Sequence, residues 1–437
     1  MVLLKNFVNI FHISELRKKI FFTLGVLIVY RLGVHIPAVG IDMAALQATM
    51  SNAASGLGGL LGYLDLFSGG SLRMCTIFAL GISPYITASI MMQLLGFTIP
   101  YLEQLLKEGE YGRKKINQYT RYLSFLISVI QSFGFSLVLE RWNLVLNPGW
   151  AFRFIFVLSL TVGSMFVMWL GEQITQHGIG NGSSMIIFAG IISNFPGYVL
   201  KTVHQVQEGN MSLISALVVL AIFIAITACI VFLEKGVRKI PVQYSRRIIG
   251  HRVYGGQSTY IPFKINPAGV MPVIFASSVL NVPMFLASTL SKYTAFKWLS
   301  DIMSPANVLH NVLMFILIVF FSFFYTALQF NPEELADNIK KSGGFLPGIR
   351  PGRKTAEFFN YLLTRVGLVG AIYLGFLAVS PNIVKMFLEF PFMLYGTSLL
   401  IAVGVALETA SQIESYLIEH KYEGFLSSGR MKGRGMR

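Results

Sequence analysis

Apolar residues run along this chain in long unbroken blocks separated by short polar and charged stretches. A helix needs about 20 apolar residues to cross a hydrocarbon core. Ten blocks qualify, at 20–36, 74–99, 119–139, 154–171, 183–203, 213–233, 268–291, 307–328, 366–387 and 391–411. None shows the period-two alternation of an outer-membrane barrel strand, so the pattern predicts an all-α polytopic membrane protein with ten transmembrane helices. Composition agrees, with 54% hydrophobic and only 13% charged residues among 437. The N-terminus has no short apolar segment followed by a small-residue cleavage site, so the first span is expected to be retained. Cys75 and Cys229 both fall in spans. They offer neither a disulfide framework nor metal-ligand spacing, and they are expected to be packing residues.

Charge orients the spans. Most of the 35 Lys and Arg lie before the first span, between spans two and three, six and seven, and eight and nine, and in the tail. Positive loops stay inside, which predicts cytoplasmic termini; an even number of spans demands the same. The loop from Lys235 to Lys264 holds seven basic residues and no acid, including Arg246, Arg247 and Arg252. The loop 329–365 carries Lys340, Lys341, Arg350 and Arg353. Topology and anionic lipid headgroups account for a lone basic loop. Two of them with a basic tail suggest a docking platform for RNA phosphates or an acidic protein patch.

An internal repeat runs through the spans. GISPYITASI (81–90) in the second span matches GVMPVIFASS (269–278) in the seventh: Gly, Pro three later, Ile two after that, then Ala-Ser. GSSMIIFAG (182–190) in the fifth matches GTSLLIAVG (396–404) in the tenth. Related spans are five apart, which predicts two inverted five-helix halves, 1–205 and 206–411, followed by a tail at 412–437. Inverted repeats place their working site at the interface between halves, where Gly- and Pro-interrupted segments correspond. The alignment pairs Ile86 with Ile274 and Ile187 with Ile401, and Ile82 and Ile191 lie one turn away on the same faces. Any one isoleucine is ordinarily a packing or lipid-facing residue; the repeat singles out this set. Converging on one axis, these six form an apolar constriction around a central pore, closed by dewetting. Gly81 with Pro84 and Gly269 with Pro272 are expected to weaken backbone bonding mid-span and let these helices shift.

Interior ionisable groups are scarce, Arg31 and Glu408 both lying near span ends. HExxH, GxxxxGK[ST], GxSxG and paired intramembrane aspartates are all absent from the sequence. No enzymatic activity, cofactor or metal is therefore expected, and energy must come from a partner. A ten-span secondary transporter is the main alternative, but it should carry a polar midplane site where the repeat is aliphatic. An insertase without a transmembrane pore is another. Between spans one and two, Tyr63, Leu64, Leu66 and Phe67 sit among Gly56, Gly58, Gly59, Gly69 and Gly70. The segment reads either as an external loop at the membrane surface or as a re-entrant helix filling a vestibule.

These stretches closely resemble the SecY family of protein-conducting channels, in its bacterial form. The resemblance is carried by YRLGVHIPAVGID, DLFSGGSL, ALGISPYITASIMMQLL, EGEYGRKKINQYTR, GIGNGSSMIIFAGI, HRVYGGQSTYIPFKINPAGVMPVIFASS, FNPEELADNIKKSGGFLPGIRPG and TSLLI, and it extends to Tyr422. It implies a channel in the cell inner membrane that passes unfolded secretory chains and releases apolar segments sideways into lipid. It implies a pore ring of Ile82, Ile86, Ile187, Ile191, Ile274 and Ile401, and a plug at 56–70. It also implies a lateral gate between spans two and seven, with Thr87, Gln131 and Ser278 as polar contacts. Arg350, with the loop around Arg246 and Arg247, would receive the ATPase SecA or the ribosome and its RNA. SecE and SecG are implied as companion subunits, and signal sequences and nascent polypeptides as ligands. Asn281 departs from expectation, placing an amide where the gate helix favours an apolar residue.

Overall fold

The structure is a computed structural model that describes residues 13–46, 68–209, 211–244, 247–249, 252–254, 258–290, 302, 307–387 and 396–428. Within these, helices stand at all ten predicted positions. The first is α1 (Ser14–Gly33), where Glu15, Arg17, Lys18, Lys19 and Arg31 put five charges in 20 residues. Then come α2 (Ser83–Thr98) and the short α3 (Pro100–Lys107), bent 101° from it. Next are α4 (Glu110–Arg141), α5 (Trp150–His177), α6 (Gly182–Gln207) and α7 (Leu213–Lys235). After a β-ribbon the chain resumes with α8 (Met271–Leu290), α9 (Val308–Gln329), α10 (Pro332–Lys341), α11 (Arg353–Phe387) and α12 (Gly396–Ser428). Seven of these helices, α4, α5, α6, α7, α9, α11 and α12, are long and apolar enough to span on their own, and α2 with α3 makes an eighth as a bent pair.

The described residues fall into two compact units. One holds those up to Asn194 and those from Val405 onward; the other is Phe195–Gly404. In the first unit, α4 and α5 form a hairpin with bidentate ion pairs at both ends. Arg121 donates through Nε and Nη2 to Glu172 at 2.8 Å each. Arg153 donates to Glu140 at 2.6–3.1 Å. Arg121 to Glu140 on α4, and Arg153 to Glu172 on α5, are each nineteen residues. At about 1.5 Å per residue that is about 28 Å, the thickness of a hydrocarbon core. Starting beside the first clamp, α4 buries Thr120, Ser124, Ser128, Ser132 and Ser136 at every fourth position, a stripe small enough for close helix approach.

In the second unit the two basic loops are not loops. β1 (Val237–Tyr244) pairs antiparallel with β4 (Ser258–Lys264), from Val237 opposite Lys264 to Gln243 opposite Ser258. β2 (Arg247–Ile249) and β3 (Arg252–Tyr254) form the ribbon's tip. β5 (Gly344–Phe345), from the other basic stretch, adds to the free edge of β1. Alternation decides the faces: Ile240 and Val242 point inward, and with Phe263, Ile339, Leu346, Phe359, Leu362 and Leu363 they form a small core. Phe263 stacks on Phe359 at 5.6 Å. Helix α10 is set by its sequence, since the Asn331 side chain accepts from the Glu333 and Glu334 amides and Pro332 occupies the first turn.

The two cysteines differ. Cys75 is buried, as a packing residue should be, whereas Cys229 is exposed on its helix.

Candidate functional site

The opening of α2 departs from the predicted 74–99 helix. Residues 69–82 are turns broken at Thr76 by a bridge to Pro37, and the helix starts only at Ser83. Gly81 adopts φ +53 and its repeat partner Gly269 φ +60, a region that side chains with a Cβ rarely enter. Two residues later α2 and α8 begin, each with a proline in its first turn, where no amide hydrogen is needed. The Gly-Pro motifs therefore start these helices rather than weakening their middles.

Both left-handed glycines have their carbonyls satisfied by a side chain of their own unit. The Ser164 hydroxyl donates to Gly81 O at 3.3 Å, and the Asn266 amide donates to Gly269 O at 2.8 Å. Beneath each turn a helix presses a glycine against backbone. A Cβ at Gly163 of α5 would strike the carbonyl oxygen of Ile77, and one at Gly370 of α11 would strike that of Ile265 at 2.5 Å. Ile77 and Ile265 each lie four residues before their left-handed glycine. The other repeat pair behaves alike, for Gly182 closes on the carbonyl of Gly171, and Gly396 on that of Ala378. Gly163 to Gly171 and Gly370 to Ala378 are the same distance in sequence. The repeat thus extends to VGSMFVMWLG (162–171) and VGAIYLGFLA (369–378), spans four and nine.

On this frame Ile86 and Ile274 stand at the same step after the left-handed glycine, both buried. Ile187 and Ile401 stand at the same step after the helix-starting glycine, at 1% and 0% exposure. Ile82 is buried at the head of α2, its Cδ1 close to Gly171, whereas Ile191 is half-buried. Of the gate residues, Thr87 is half-buried and donates to Ser83 O of its own helix at 3.1 Å. Gln131 is half-buried on α4 and Ser278 is buried on α8. Asn281 falls on α8 with its side chain outside the described residues.

Tyr63, Leu64, Leu66 and Phe67 lie outside the described residues. The chain just after them is anchored, with Tyr30 donating to Ser68 O at 3.2 Å, Arg31 to Gly69 O at 2.8 Å, and Gly69 against Gly190. Arg246 is also outside, and Arg247 and Arg252 are placed by backbone in the ribbon tip. Lys340 and Lys341 are exposed in the last turn of α10, and Arg350 is exposed beyond it. Arg353 is exposed and 3.5 Å from Glu357.

Sequence reading missed Ser164, Asn266, Gly163 and Gly370. Asn266 could have been found as an amide three residues before Gly269 in INPAG; Gly163 and Gly370 share Val-Gly with an aromatic three residues on.

The SecY family profile matches residues 76–410. The chain is 44% identical over 430 residues to a protein translocase subunit SecY of Escherichia coli, covering 97% of this chain and 96% of that one. It is 46% identical to the corresponding Streptomyces scabiei subunit, covering 97% and 100%. Its fold is similar, with a TM-score of 0.66 at 18% identity and 95% coverage of both chains, to a solved structure. That structure concerns a SecY plug domain said to stabilise the closed state of the translocation channel and maintain a membrane seal.

Proposed function

The chain belongs to the SecY family of protein translocase subunits, and from that premise we propose how its residues pass an unfolded polypeptide through a membrane and release apolar segments sideways into lipid. The protein is a channel-forming subunit; its matched relatives set aside the secondary-transporter alternative. It performs no covalent chemistry of its own and resides in the inner membrane with both termini in the cytoplasm. The seal is a ring of Ile82, Ile86, Ile187 and Ile191 from residues 1–205, with Ile274 and Ile401 from 206–411. Residues 56–70, with Tyr63, Leu64, Leu66 and Phe67, fill the vestibule when the channel rests. Helices α2 and α8 part to release apolar segments, with Thr87, Gln131, Ser278 and Asn281 along the opening.

The folded basic body is the docking platform. Arg246, Arg247, Arg252, Lys340, Lys341, Arg350 and Arg353 receive SecA or the ribosome, and residues 412–437 form a cytoplasmic tail. SecE and SecG complete the translocase, and signal sequences, nascent chains and lipids are its ligands.

One observation carries this reading: two pairs of buried isoleucines occupy matching steps on helices that begin in matching ways. A ring needs that coincidence; isoleucines scattered against lipid do not. The test places a photocrosslinker at 86 or 274 in channels engaged with a stalled chain bearing a signal sequence. Both positions should capture the chain, and capture from neither refutes the ring.

A further inference from the structure

Asn266 sits where three elements of the second unit meet. Its Nδ2 donates to Glu234 Oε1, near the end of α7, and to Gly269 O, at the head of α8, both at 2.8 Å. Its Oδ1 is buried without a partner among the described residues, so these two donated bonds orient the amide. Just before it, the Ile265 amide donates to Gly236 O at 2.9 Å, carrying the β1–β4 pairing one step beyond Val237 and Lys264. Gly370 presses against Ile265 O from below, leaving no room for this corner to slide toward α11.

The covalent route from ribbon to helix passes through Gly269 at φ +60, a residue type that resists rotation poorly. The amide bridges that pivot with a bond to a carboxylate, the stronger kind, and a bond to the glycine's own carbonyl. Serine could supply one such donor and aspartate none; an uncharged amide supplies both.

We propose that Asn266 is a positioning residue that carries displacement of the basic ribbon into the first turn of α8, with Glu234 as its fixed end. This rests on the docking and gate roles assigned above. A partner that pulls on the ribbon thereby moves the head of the gate helix instead of merely swivelling the chain at Gly269.

The test uses the full channel with its companion subunits in vesicles, and SecA with a preprotein as the probe. SecA affinity, KM and kcat for translocation, and amide exchange over 269–276 with and without SecA are measured for wild type, Asn266→Ala, Glu234→Ala and Glu234→Gln. Asn266→Ala and Glu234→Ala should bind SecA normally and keep KM, but lose about tenfold in kcat, the scale of one hydrogen bond to a charged group. In both, the exchange change caused by SecA should reach the ribbon and stop short of 269–276. Glu234→Gln retains an acceptor and should rescue both readouts. A SecA-induced change at 269–276 that survives in Asn266→Ala, or an Asn266→Ala pattern that Glu234→Ala fails to reproduce, overturns the proposal. Arg350→Glu, run alongside, should lose SecA affinity; if it does not, the docking reading fails, and the exchange result still decides the role of Asn266.

Discussion

Position 78 in the first half and position 266 in the second are the same place built twice. Each lies three residues before a left-handed glycine, directly after a residue whose carbonyl is wedged by a helix glycine. Yet one is a phenylalanine and the other an asparagine. Phe78 is buried, stacked on Tyr30 at 6.0 Å with rings 5° from parallel and on Phe166 at 6.0 Å, and Gly33 leaves space for its ring. Its interactions are apolar and non-directional, and they serve a static anchor. Asn266 makes directed bonds that exist in one geometry and are lost in another. The loops differ correspondingly: among the described residues the first-half loop pairs at isolated bridges, Pro37 with Thr76 and Ile41 with Val145, the second through a full ribbon. The repeat therefore preserved a backbone device and varied what it is tied to.

The largest expected effect lies at the apolar anchor. Phe78→Ala should destabilise the first half by about 3–5 kcal/mol, the range for emptying a buried aromatic site, read as a lowered thermal midpoint of the detergent-purified complex. A loss under about 1 kcal/mol would mean that the ring stacking does not hold this corner, and the contrast with Asn266 would collapse.

Next comes the seal. Ile401→Asn would put a hydrogen-bonding side chain at a fully buried position of the proposed ring, and it should favour the open state by about 1–2 kcal/mol. Export of a signal-defective reporter should then rise about five- to thirty-fold, while Ile401→Leu should stay near wild type. Equal export from the two variants removes residue 401 from the ring and leaves Ile187 without its counterpart.

The smallest effect sharpens the comparison most directly. Ser164→Ala removes the first-half donor to Gly81 O, a neutral bond at 3.3 Å, and should cost about 0.5–1.5 kcal/mol with no change in SecA-driven kcat. Asn266→Ala removes the second-half counterpart and should change kcat. If Ser164→Ala slows translocation as much, the polar tie is not special to the second half.

Much of the fold was legible because membrane spans announce themselves by length and the repeat by its glycines, prolines and isoleucines. Spans four and nine escaped because their likeness rests on where small residues fall, Gly171 against Ala378, and only the contacts disclose the register. The ribbon escaped because its inward residues are few. Ile240 and Val242 alternate with exposed Arg238, Lys239, Pro241 and Gln243, so charge masked a period of two. The start of α2 was misplaced because an apolar run does not report the backbone bend at Gly81. Tyr63, Leu64, Leu66 and Phe67, proposed as a plug from the sequence, lie beyond the described residues.

The paired clamps of the α4–α5 hairpin have a consequence for the lipid. Charged groups fixed at both ends of a rigid hairpin resist being drawn into acyl chains, so a bilayer thicker than about 28 Å must thin locally around this hairpin, and a thinner one must make it tilt. The hairpin works as a caliper. Because Gly163, Ser164 and Gly171 hang the head of α2 from α5, the depth of Ile82 and Ile86 is gauged against the membrane by the two arginines and two glutamates at the ends of the hairpin.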